Sequence, residues 1–157
     1  MDIRKLVDHV SLTYGIKLRK AEPLRKGGSA TYVLYGAEAK YLLKCISAAF
    51  ADSVAASAKV QLYLIERGFG VPPLVLTKSG SCLTEYEGYT LVLYEYLELY
   101  EIDMARDAEA VGALIGELHA LMAGYNGALA VHDKAFYVDR YLDILTRKHY
   151  PKKGRVL

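Results

Sequence analysis

Two adjacent glycines, Gly27 and Gly28, are followed by Ser29 and Ala30 and then by an alternating run over residues 31–35. A tight link at 36–39 feeds a second run, 40–46, which carries Lys44 near its end. Adjacent glycines let the backbone approach an anion closely, and successive N–H groups there form a concave nest. A lysine on a neighbouring strand adds a mobile point charge suited to phosphate. Most glycine pairs are only hairpin turns. Turn, paired strand and strand-borne lysine together point to a phosphate cradle.

Other reactive side chains carry less. Cys45 and Cys82 have no metal-ligand spacing and sit in strand patterns, which reads as small buried thiols kept reduced in a cytosol. His119 borders the apolar stripe of a helix, where packing or capping is the ordinary role. Net charge is only +2, but it is unevenly spread. Residues 1–47 hold nine Lys or Arg against four acids, whereas residues 85–117 hold nine acids against Arg106. That asymmetry suits a nucleotide plus a cationic second substrate, or simply solvated faces of opposite sign.

The elements that must position Lys44 follow from periodicity. At 157 residues, 53% hydrophobic and 24% charged, the chain suits one folded domain with a real core. Ile3, Leu6, Val7 and Val10 predict a short helix that stops at Gly15. A strand over 17–25 contains Pro23, which argues for a sheet edge. A helix from about 48 to 67 buries Phe50, Val54, Ala58, Leu62 and Ile65 and ends at Gly68. Short strands over 74–77 and 82–86 lead through a turn at Glu87–Gly88 into an apolar strand, 89–97. Together they predict an α+β fold with an antiparallel sheet of about five strands and one packed helix. Val111, Leu114, Ile115, Leu118, Leu121 and Met122 mark a helix over 104–123, and another is expected over 135–149. No apolar run approaches the roughly 18 residues of a membrane span, and no signal peptide is evident at the start. The basic tail PKKGRVL is too short to suggest nucleic acid.

The stretch RKGGSATYVLYGAEAKYLLK resembles the opening of an aminoglycoside phosphotransferase-like kinase, a relative of the protein kinases. Three later pieces agree, in the family's order: LIERGFGVPPLVLTKSGS, YTLVLYEYLE and AVGALIGELHAL. The resemblance implies a kinase-like N-lobe over residues 1–97, comprising ATP cradle and hinge, and the helical start of a C-lobe over 98–157. It implies an ATP-dependent phosphotransferase, cytoplasmic as the reduced cysteines suggest, in which Gly27, Gly28, Ser29, Ala30 and Lys44 hold phosphates. Leu42, with Val33 or Tyr32, would cover the adenine, and Tyr94 would stand at the back of the pocket. The Glu95 carbonyl and Leu97 amide would meet the adenine edge. The family's second helix supplies a glutamate to the strand lysine, but Ser57 falls at or near that position here.

Phosphoryl transfer also needs a carboxylate to orient the acceptor and a metal to neutralise phosphate charge. The family carries these on an H-G-D-x-x-x-x-N loop. The nearest match, Val131–His132–Asp133–Lys134, lacks the glycine, and Val138 stands where asparagine is needed. Asn126 is the sole asparagine. The chain alone is therefore expected to be inactive, with Mg relevant only if a complete C-lobe is supplied. Two function classes follow: an ATP-binding portion of a small-molecule kinase, or a non-catalytic kinase-like binding or scaffold module. The apolar stripes of 104–123 and 135–149 are expected to meet a missing C-lobe or a second copy.

Overall fold

The structure is a computed structural model, and it describes residues 2–24, 30–98, 101–127 and 138. The first helix, α1 (Ile3–Tyr14), is capped by Asp2, whose carboxylate accepts from the Arg4 N–H at 2.9 Å. It ends at Gly15, whose N–H donates to the Ser11 carbonyl. Strands β1 (Leu18–Leu24), β2 (Ala30–Gly36) and β3 (Lys40–Ser47) follow as an antiparallel meander. A single turn of 3-10 helix, Ala48–Phe50, leads into α2 (Ala51–Glu66). The hairpin β4 (Leu83–Tyr86) and β5 (Tyr89–Glu95) completes the sheet, and α3 (Met104–Met122) lies beyond it. Glu87 (φ 46°) and Gly88 (φ 78°) both adopt the left-handed backbone that a two-residue hairpin turn demands.

The spatial order is β1-β2-β3-β5-β4, so β3 is central and β1, with its Pro23, lies at an edge as the proline predicts. The main apolar cluster is on one face of the sheet. There Leu34, Leu43, Cys45, Leu91 and Leu93 pack with Leu6, Val10 and Tyr14 of α1. Burial pushes the Cys45 thiol up to about 12, which leaves it a protonated packing group. The expectation of one packed helix understates α1, which supplies three of the core's residues. Ile3 was expected in its apolar stripe but is 40% exposed, and Tyr14 takes the buried place one face-repeat later.

Three other boundaries differ from the periodicity reading. The 74–77 segment makes one isolated bridge, Leu74 to Tyr94, rather than a strand. Pro72 and Pro73 before it have no N–H to extend a ladder. Strand β5 stops at Glu95, because β3 begins at Lys40 and offers no partner past the Tyr96 N–H to Lys40 carbonyl bond. In α2 the buried positions are Ala58 and Leu64, whereas Ile65 lies at the surface. The reason is the helix end. Gly68 (φ 74°) donates to the Ile65 carbonyl and Phe69 to the Leu64 carbonyl, a Schellman closure that turns buried Phe69 back toward the Leu64 end.

Helix α3 has no buried residue among those described; Leu114 and Ile115 are 49% and 48% exposed. The Tyr63 hydroxyl of α2 donates to the Leu121 carbonyl at 2.8 Å and ties the end of α3 to α2. The helix expected over 135–149 lies outside the described residues except for Val138, which is exposed. Among the described residues, no helix is long and apolar enough to cross a membrane. Exposed positions away from networks tolerate substitution within about 0.5 kcal/mol. In the dilute, monomeric chain Leu114→Lys and Ile115→Lys should each therefore leave urea stability unchanged to that margin; a cost of several kcal/mol there would show the stripe to be buried within the chain.

Candidate functional site

Successive side chains of a strand point to opposite faces. Leu43 and Cys45 enter the core, so Leu42 and Lys44 face the other way. The register then decides their neighbours. Lys44 lies between Thr31 of β2 and Val92 of β5, and Leu42 lies between Val33 and Tyr94. Leu42, Lys44, Val33 and Tyr94 therefore share one face, opposite α1. Tyr32, the alternative to Val33, packs against the core on the α1 face and does not belong to this group. Ala30 is the exposed first residue of β2, paired with Cys45. Gly27, Gly28 and Ser29 lie outside the described residues.

Lys44 makes no ion pair among the described residues. Its ammonium sits 5.3 Å from the centroid of the Tyr94 ring, a cation–π distance. Burial pushes the Tyr94 phenol above the ordinary tyrosine range, so it remains a neutral hydroxyl. Ser57 lines the same cleft as Lys44, but its hydroxyl donates to the Ser53 carbonyl at 2.9 Å, one turn back in α2. The acids of α2 are elsewhere: Glu66 is 4.0 Å from Arg67, and Asp52 is exposed in the first turn.

At the end of β5, the Glu95 N–H donates to the Pro73 carbonyl at 3.0 Å. Leu97 is 42% exposed, and its N–H has no partner among the described residues. Beside it, the Lys40 ammonium lies 5.6 Å from the Tyr96 ring centroid and 3.9 Å from a Glu98 carboxylate oxygen. Sequence reasoning missed the cleft between the sheet and α2, a space of about 340 Å³ whose walls include Ile46, Phe50, Val54, Ala58 and Val92. The predicted helix stripe gave three of those five, Phe50, Val54 and Ala58; Val92 could be placed beside Lys44 only once the β3–β5 register was known. Among the described residues, no group of three or more His, Cys, Asp or Glu is gathered as a metal site.

The chain matches no protein-family model and no curated protein sequence. Among solved structures it is similar to amicoumacin kinase hAmiN in complex with AMP-PNP, Ca2+ and Ami. That likeness has a TM-score of 0.69 and 19% identity, over 87% of this chain and 43% of the kinase. The fold is that of the aminoglycoside phosphotransferases, with a kinase-like N-lobe. Spectinomycin phosphotransferase APH(9)-Ia, in complex with ADP and spectinomycin, agrees at a TM-score of 0.62 and 10% identity, over 99% of this chain and 50% of that one. Its AMP-bound complex gives 0.59 and 9%. The chain spans about half the length of these phosphotransferases, 43% to 50%. In this kinase-like frame the five-stranded sheet and the helix that follows β3 are in place, and Ser53 and Ser57 of α2 line one cleft with Lys44.

Neighbours in sequence, Leu43 and Lys44 should respond differently to substitution. Leu43 is fully buried, and truncating such a residue costs about 2–5 kcal/mol. Lys44 has no ion-pair partner to orphan among the described residues, so Lys44→Met should cost about 1 kcal/mol or less. Urea unfolding of Leu43→Ala and Lys44→Met measures both. Equal, large losses would mean that Lys44 belongs to a buried network.

Proposed function

We propose that this chain is the ATP-binding, N-terminal portion of a small-molecule kinase, and that by itself it transfers no phosphate. The observation that carries this reading is the shared face of the sheet. An apolar pair, Leu42 and Val33, lies one register step from a strand-borne lysine whose charge meets no carboxylate among the described residues. An adenine would lie against Leu42 and Val33 with its edge toward the Glu95–Leu97 segment, and Lys44 would meet phosphate oxygens. The Leu97 N–H, without a partner among the described residues, suits an adenine acceptor. ATP bound there would supply the transferable phosphoryl group; the residues named here only hold and orient it. The two similar phosphotransferases are themselves complexes with AMP-PNP and with ADP, which supports a nucleotide as the ligand of this face.

The inactivity rests on the chain's own residues. Positioning and electrostatic stabilisation supply nearly all of phosphoryl-transfer catalysis. Asp133 has neither the preceding glycine nor the following asparagine that a metal-binding catalytic loop requires. The alternative, a non-catalytic kinase-like binding module, is favoured by one observation. The Ser57 hydroxyl is turned onto its own helix and offers Lys44 no charge. On either reading, the exposed stripe of α3 would meet a missing C-lobe or, in the chain by itself, a second copy. The Leu114→Lys/Ile115→Lys double variant should then abolish concentration-dependent sedimentation.

Calorimetric titration with ADP tests the nucleotide site. One wall of a cleft should give a Kd on the order of 10⁻⁴ M, about −5.5 kcal/mol, and Lys44→Ala should weaken it about tenfold. Equal heats for the two chains, or none at millimolar ADP, would overturn the assignment. Labelled ATP with magnesium and hydroxyl acceptors should yield only background product; turnover lost in Asp133→Ala would contradict the inactivity.

A further inference from the structure

The cleft between β3, β5 and α2 has an unusual combination of walls. Ile46, Phe50, Val54, Ala58 and Val92 make it apolar, and Lys44 is the one charged residue among its described lining. No carboxylate of a described residue reaches that charge, and Ser57, on the opposite wall, directs its proton to the Ser53 carbonyl. A cation beside apolar surface favours a ligand that brings an anion and an apolar body together, since the body leaves water while the charges pair. Tyr94, whose phenol burial keeps protonated, adds a hydroxyl to the lining. The space of about 340 Å³ falls at the small end of ligand pockets and is large enough for a bicyclic aromatic.

We propose that this cleft binds a small monoanion with an apolar body, an aromatic or aliphatic carboxylate, whose charge pairs with the Lys44 ammonium while its hydrocarbon part fills the space against α2. The site shares Lys44 and Tyr94 with the nucleotide face and differs in the rest: adenine would use Leu42 and Val33, neither of which lines this cleft. The two assignments therefore fail separately. A chain that takes the carboxylate but no ADP keeps this site and loses the other, and the reverse outcome overturns this one alone.

The probe is 1-naphthoate, with 1-naphthamide as its uncharged counterpart, each titrated by fluorescence into the whole chain. The carboxylate should saturate and bind about tenfold tighter than the amide, the discrimination expected of one charge-assisted contact. In Lys44→Met that preference should vanish. In Ser57→Glu, a change at an exposed helix position that places a carboxylate in the cleft, naphthoate should weaken about tenfold or more while the amide changes little. The second variant decides the matter if the first fails to fold. Equal affinity for acid and amide, indifference to Ser57→Glu, or no saturation at millimolar naphthoate would each overturn the proposal.

Discussion

The central strand holds two opposed environments one residue apart. In β3, Leu43 and Cys45 are buried against α1, while Leu42 and Lys44 face α2's side of the sheet. A slip of one residue in either flanking ladder would exchange these sets, placing an ammonium in the core and leucine in the cleft. Desolvating an unpaired charge costs far more than a packing fault, so the ladders to β2 and β5 hold the register with the whole core behind them. The sheet's placement of its lysine is thus a consequence of burying its leucines. The helices answer to the same division: α1 closes the apolar face with Leu6, Val10 and Tyr14, and α2 stands over the face that keeps a charge.

Much of this was legible locally. Alternation marked β2 and β3, Pro23 marked the edge, and Gly15 and Gly68 marked helix ends, because each signal acts through its own backbone. The α+β class and the five-stranded sheet followed from such signals together with the family resemblance. What could not be read depended on partners distant in sequence. The end of β5 is set by where β3 begins, and the burial of Leu64 rather than Ile65 by how the chain closes after Gly68. The same holds at the site. Leu42 and Lys44 share a face by spacing alone, but the choice of Val33 over Tyr32, and the meeting of Val92 with Lys44, needed the register.

A fold does not carry its chemistry with it. The likeness to amicoumacin kinase and spectinomycin phosphotransferase, at 19% and 10% identity, is one of architecture. Within that architecture the local electrostatics are this chain's own. The helix that shares a cleft with the lysine presents Ser57, whose hydroxyl is turned onto its own helix, and the ammonium rests near the Tyr94 ring. Among the described residues no carboxylate pairs with it. On the two proposals, a phosphate would reach it from the Leu42 side and a carboxylate from the α2 side.

The central claim is that the face bearing Leu42 and Lys44 is a nucleotide-binding surface, and backbone amide NMR under ADP titration tests it most directly. Shifts should concentrate at Val33, Leu42, Lys44 and the Glu95–Leu97 segment, with Leu6, Val10 and Tyr14 of α1 unmoved. Shifts centred on α1, or none at all at millimolar ADP, would contradict it.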